Sequence, residues 1–296
     1  YERIESVPPT DIMGENEEEK TKPLAIPGIV FFAGGAYSLY YYINHPQLTT
    51  YELAREIASA YNNKGVCYRK KGQADEALKN YLKSIEIYKA DGDTLEIATI
   101  YNSIGVMFMY SDFPEKALQY YETAESLHSQ ISNSKGLADV YNNFAIFFAN
   151  SGRLDKSLEY FNKSLEIEKS LNNKRGVIES YGNIGLVYFM QGQVDKAIEM
   201  TKKSIAIEKE MGNIQGEIAS MNSIAEMYSE VGRFQEALET LDSVIIVAKN
   251  IDSHEELATS YLNMSKLYEK QGNFEKAYEN FVLFHQEEDS AKSYAQ

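Results

Sequence analysis

Tyr181-Gly-Asn-Ile-Gly-Leu-Val-Tyr188, followed by Gly192 and then Ala197-x-x-x-Thr201, is the cleanest copy of a phrase that returns six times at a period of forty. The leading aromatic falls at Tyr61, Tyr101, Tyr141, Tyr181 and Tyr261, with Met221 in the fifth copy. The closing aromatic falls at Tyr68, Phe108, Phe148, Tyr188, Tyr228 and Tyr268. A turn glycine recurs at Gly72, Gly152, Gly192, Gly232 and Gly272, with Asp112 in the second copy, and the small residue five further on is Ala77, Ala117, Ser157, Ala197, Ala237 or Ala277. No insertion breaks the register. Such a period makes each copy one supersecondary unit that buries its apolar face only against its neighbours. The length therefore does not count domains.

The copies follow aromatic-x2-apolar-Gly-x2-aromatic and then Ala-x3-aromatic with departures such as Met221 and Thr201, the second copy in full at Tyr101, Ile104, Gly105, Phe108 and then Ala117 and Tyr121. Over roughly residues 53 to 290 the chain thus resembles a tetratricopeptide repeat array. The resemblance implies an all-α fold, a right-handed α-solenoid of about six helix-turn-helix repeats. Gly or Ala at the eighth helical position lets the two helices of a hairpin approach closely, and the aromatics fill the space between them. Helix A is expected over 54–70, 94–110, 134–150, 174–190, 214–230 and 254–270, with helix B starting four residues later each time. Linkers such as Asp91-Gly92-Asp93, Asn172-Asn173 and Gly212-Asn213 supply the Gly or Asn that ends a helix. Lys64 stands where the later copies have Ile104, Phe144, Ile184, Ile224 and Met264, so the first repeat is expected to pack less well.

The forty-residue variant, with Tyr-Asn-Asn near the start of helix A, resembles the repeats of kinesin light chains, spindle-orientation adaptors, and bacterial peptide-sensing and sensor-kinase regulators. Those families bind extended peptides or partner segments. Helix-A side chains that avoid the aromatic-apolar-Gly-aromatic stripe are expected to face a concave groove, at the fifth, sixth, ninth, twelfth and thirteenth positions. The fifth reads Asn62, Asn102, Asn142, Gly182, Asn222, Leu262, and the sixth Asn63, Ser103, Asn143, Asn183, Ser223, Asn263. Asn is a mediocre helix former. Its amide both donates and accepts, which suits the backbone of an extended peptide, and the rows look like the asparagine ladder of the related families. The alternative is that these amides only bond neighbouring helices. The groove floor reads apolar at Val66, Val106, Ile146, Leu186, Met109, Tyr110, Phe189 and Met190, and turns polar at Glu226, Glu230, Lys266 and Lys270. The chaperone-tail clamp known in the family needs Lys and Asn where this chain has Asn62 and Val66, so that role does not carry over.

Charged residues are 25% and hydrophobic ones 44%, with a net charge of −15. That charge opposes nucleic-acid phosphate and anionic membrane surfaces, so no nucleic-acid partner is expected. The single cysteine, Cys67, excludes an intrachain disulfide and a cysteine metal cluster. A buried structural thiol is expected there. His45, His128, His254 and His285 are scattered, with no paired carboxylate at metal-ligand spacing and no phosphate loop. No catalytic residue, cofactor or metal is expected. Asn162-Lys-Ser and Asn263-Met-Ser match a glycosylation sequon inside predicted helices, which makes them chance matches.

Residues 1–22 carry Val7-Pro-Pro9 and acids at Glu15 and Glu17 to Glu19, and read as an acidic extended or disordered tail. Residues 23–50 form an apolar segment without Asp, Glu, Lys or Arg, and 51–296 the repeat array. Residues 24–43 approach the length of a membrane anchor with Tyr40-Tyr41-Tyr42 as an interfacial belt. Pro27 shortens the span, however, and the other reading packs the segment on the first repeat. The chain starts at Tyr1, which suggests a processed or cut fragment, and no signal peptide is visible. The expected function is a non-enzymatic, cytoplasmic interaction scaffold or sensor module that takes a protein or peptide ligand in the concave groove. The alternatives are a membrane-anchored assembly subunit and the sensory part of a larger signalling protein.

Overall fold

The computed structural model describes residues 50–111 and 113–294. The expectations for the acidic tail 1–22 and the apolar stretch 24–43, and the turn residue Asp112, lie outside the described residues. The described residues form twelve helices and no strand: α1 (Thr50–Lys70), α2 (Ala74–Asp91), α3 (Thr94–Met109), α4 (Glu115–Gln130), α5 (Ser134–Asn150), α6 (Leu154–Ser170), α7 (Lys174–Met190), α8 (Val194–Met211), α9 (Ile214–Glu230), α10 (Phe234–Asn250), α11 (His254–Lys270) and α12 (Phe274–Tyr294). Odd-numbered helices are the expected A helices and even-numbered ones the B helices, so the fold is an all-α helical repeat of six hairpins. From α3 onward the A helices match the expected bounds to within one residue, while α1 begins four residues early.

The connections repeat as strictly as the helices. After each hairpin one residue turns left-handed, at Gly92, Ser132, Asn172, Gly212 and Asp252, with φ between +52° and +73°. The residue after it donates its backbone N–H to the carbonyl five back, as Asn133 does to His128 at 2.9 Å and Asn213 to Glu208 at 2.9 Å. These bonds occupy carbonyls that a helix end would otherwise leave orphaned. At four of these five turns the same residue then caps the next A helix, Asp93 Oδ1 accepting from the N–H of Glu96 at 3.1 Å and Asn133 Oδ1 from that of Gly136 at 3.2 Å, while Asn173 makes no cap and turns its amide to Glu168. Two successive hairpins are thus joined by two or three residues, which holds the helices on either side antiparallel.

The helices divide into two compact units within α5, between Phe147 and Phe148. In the first unit α1, α2, α3 and α4 each pack on the next, and the eighth position of the A helix sets the separation. A Cβ on Gly105 would lie 2.4 Å from the Tyr121 ring, which is fully buried, and one on Gly65 2.7 Å from the Tyr81 ring. Phe108 stacks on Tyr120 at 5.2 Å between centroids, and Tyr121 meets Phe144 edge-on at 5.4 Å. In the second unit α6 to α12 likewise pack each on the next, around a core that includes Ile218, Leu241, Val244, Leu257 and Leu267.

Cys67 is exposed, contrary to the expected buried thiol. The reason is positional. Ile100, Ile104 and Met107 in the second repeat and Val140, Phe144 and Phe147 in the third are at most 4% exposed, whereas their counterparts Ala60, Lys64 and Cys67 are all exposed. Among the described residues no hairpin precedes α1, so nothing there covers that stripe. Lys64, at a position that is apolar in every later copy, lies on this same exposed stripe.

A second repeat runs beneath the first. His128, Glu168 and Glu208, near the ends of B helices, are buried, and each sits against a glycine of the next helix, Gly136, Gly176 or Gly216. A Cβ at any of the three glycines would come within about 2.4 to 2.6 Å of the imidazole or carboxylate it faces. Linker and neighbouring side chains hold the buried groups. Asn133 Nδ2 lies 3.1 Å from His128 Nδ1, Asn173 Nδ2 donates to Glu168 Oε2 at 2.6 Å, and Ser220 Oγ donates to Glu208 Oε2 at 3.1 Å. Burial lowers the His128 pKa, with Asp139 opposing, and raises that of the Glu208 carboxyl.

Candidate functional site

The candidate surface is the A-helix face that carries the amide rows and exposes Leu186 and Met190. In the first unit, Asn143 Nδ2 of α5 donates to Asn102 Oδ1 of α3 at 2.9 Å. In the second, Asn263 Nδ2 of α11 donates to Asn222 Oδ1 of α9 at 3.5 Å. A sixth-position amide therefore reaches back to the fifth-position amide of the preceding repeat, and part of the amide row is spent on joining helices. The pattern breaks where serine takes the sixth place. Ser103 donates instead to the carbonyl of Thr99 at 3.1 Å, and Asn62 Oδ1 is left buried without a partner among the described residues. Asn142 and Asn183 are half-buried with bonds of their own, and Asn63 is exposed.

Beside the amides, Val66, Val106, Ile146 and Phe189 are half-buried, Leu186 is 54% exposed, Met190 51% and Tyr110 71%. Met109 departs from the expectation. It is 9% exposed, turned against the B helix of its own hairpin, with the Tyr121 hydroxyl 3.8 Å from its sulfur, and so belongs to the core rather than to a ligand-facing surface.

In the second unit α9 and α11 present charge instead. Lys270 Nζ pairs with Glu230 Oε1 at 2.5 Å across the two helices. Between that pair and the Asn222–Asn263 amides lies a cavity of about 250 Å³ with Glu226 and Lys266 at its edge and Leu241 and Leu267 in its wall. These are the residues at which the groove floor is expected to turn polar. The signal was present in the ninth and thirteenth positions, where opposite charges recur forty residues apart. No helix among the described residues is long and apolar enough to cross a membrane.

Repeated hairpins with a small residue at the close approach and amides along one helix face define a helical-repeat protein of the interaction type. The tetratricopeptide repeat profile matches residues 56–130, 136–210 and 217–281, and the chain belongs to that family. No protein with a curated description matches the chain. Among solved structures it is similar to aspartyl phosphate phosphatase F from Bacillus subtilis, at 15% identity over 84% of this chain and 74% of that one, with a TM-score of 0.61. It is also similar to a Rap protein complexed with Competence and Sporulation Factor, at 19% identity over 82% and 67%, TM-score 0.55. A third is the kinesin light chain repeat protein of Podosopora anserina, at 17% identity over 67% and 97%, TM-score 0.55. At these identities the likeness is one of fold.

Proposed function

We propose that the protein is a non-enzymatic scaffold or sensor module, working in the cytoplasm, that takes an extended peptide or partner helix on the groove side of its A helices. The observation that carries this is the pairing of exposed apolar side chains with amides on one helix face. Leu186 and Met190 in α7 and Tyr110 after α3 stand in water beside Asn183 and Asn102. Exposed apolar surface rimmed by polar groups is what a soluble protein keeps for a partner. Amides beside it supply the donors and acceptors that an extended backbone leaves unpaired. A like fold has been captured with Competence and Sporulation Factor in the Rap complex, which supports a sensor reading.

The test is selection of peptides by display on the full chain, followed by fluorescence anisotropy with the selected sequence. Removing both amides of one pair, Asn102→Ala with Asn143→Ala, is expected to weaken binding. Unchanged affinity with a sharply lowered melting temperature would assign those amides to the fold alone.

A further inference from the structure

Three pairs of side chains face one another across α9 and α11, one helical turn apart. Asn222 and Asn263 are joined by a hydrogen bond and Glu230 and Lys270 by an ion pair. The middle pair, Glu226 and Lys266, has the same forty-residue spacing as the ion pair and opposite charges, yet neither side chain has a partner among the described residues. Both are exposed at the mouth of the cavity of about 250 Å³, whose wall includes Leu241 and Leu267. That volume is below the range of about 300–1,000 Å³ usual for whole small-molecule ligands. One side chain of a partner fits it better than a free cofactor.

The four charges sum to zero, and the ion pair uses two of them. What remains is one acceptor, Glu226, and one donor, Lys266, separated by a gap. A carboxylate entering the gap would meet Lys266 but face Glu226, and an ammonium the reverse. A primary amide has both a donating NH2 and an accepting carbonyl at one end and carries no charge. We propose that this cavity is a side-chain pocket for a glutamine or asparagine of the bound peptide, its NH2 donating to the Glu226 carboxylate and its carbonyl accepting from Lys266 Nζ. The assignment deepens the groove reading and rests on it. It also gives a reason for the apolar floor of the earlier repeats to give way here: this end of the A-helix face selects a residue, where the exposed leucine and methionine of α7 select only apolar bulk.

The experiment is an NMR titration of the isotope-labelled full chain with four acetylated, amidated peptides, Ala-Ala-X-Ala-Ala with X as Gln, Glu, Lys or Leu. The Gln peptide is expected to shift backbone amides of 222–230 and 263–270 and to bind about tenfold tighter than the Glu and Lys peptides, the worth of one hydrogen bond to a charged group. Because both residues are exposed, charge reversal leaves the fold intact and moves the selectivity. Glu226→Lys should then prefer the Glu peptide, and Lys266→Glu the Lys peptide. Equal affinity for all four peptides, or a Gln preference that survives both reversals, overturns the pocket and leaves the groove reading standing. No shift at any A-helix residue also overturns the pocket, and the groove reading is then decided by the display-selected peptide.

Discussion

Asn143 donates its side-chain N–H to Asn102 Oδ1 across two neighbouring A helices, while the equivalent acceptor one repeat earlier, Asn62 Oδ1, is buried with no donor among the described residues. The difference is one residue, Ser103 in place of asparagine. Ser103→Asn should extend the amide row by one bond and stabilise the protein by about 1 kcal/mol, the net worth of a hydrogen bond that also satisfies a buried group. Urea denaturation reads it. A destabilised Ser103→Asn would show that the spacing of α1 and α3 does not match that of α3 and α5.

The glycines at the eighth position are not equivalent. A Cβ at Gly105 meets the Tyr121 ring at 2.4 Å, but at Gly185, where the B helix carries Thr201, the nearest contact is the Ala197 carbonyl at 3.2 Å. Alanine gains about 1 kcal/mol over glycine in a helix interior, and overpacking costs about 1–3 kcal/mol. Gly185→Ala should therefore be close to neutral and Gly105→Ala clearly destabilising, with Gly185→Leu overpacked by a similar amount. Equal effects of the two alanine substitutions in denaturant melts would contradict the close approach at Tyr121.

Two buried titratable groups pull stability in opposite directions with pH. His128 has a depressed pKa in the folded protein, so the unfolded chain binds its proton more readily; its contribution is present above about 6.5, the ordinary histidine value, and is lost as pH falls through the folded value. Glu208 has a raised pKa, so its contribution is full below the ordinary carboxylate value of about 4.3 and is lost as pH rises through the folded one. Melting temperatures of His128→Gln should fall less than those of the parent between pH 7 and 5. Glu208→Gln should gain on the parent as pH rises from 4 to 7. Parallel curves for parent and variants would remove both groups from the pH dependence.

The Cys67 thiol should react with a maleimide in the native full chain, without denaturant, because the stripe it shares with Ala60 and Lys64 is exposed. Slow labelling that becomes fast when residues 1–49 are removed would mean that this face is covered.

Repetition makes most of the fold legible in the sequence. The aromatic stripe and turn glycines located the A helices, because a period of forty without insertions fixes register six times over. What the period could not show was context. Cys67 reads as core by its helix position, but burial there comes from a preceding hairpin. Met109 reads as groove by its position, but its flexible thioether turns to Tyr121. The glycines at 136, 176 and 216 and the buried His128, Glu168 and Glu208 follow the same period eight residues apart, a signal outside the repeat pattern itself. For the amides, composition gave the row, and only the structure separates those bonded to one another, as Asn102 and Asn143 are, from Asn62, whose oxygen has no partner among the described residues.

Under the proposed function, partners dock on the A-helix face. The most direct measurement is the affinity of a display-selected peptide for Leu186→Glu, Met190→Glu and Ile246→Glu, the last an exposed B-helix residue 60% accessible to solvent. All three sites are exposed, so the melting temperature should hardly change. Burying a carboxylate against an apolar contact should cost the two α7 variants at least about tenfold in affinity, while Ile246→Glu binds as the parent does. Lost binding in Ile246→Glu, with Leu186→Glu and Met190→Glu unaffected, would contradict the account.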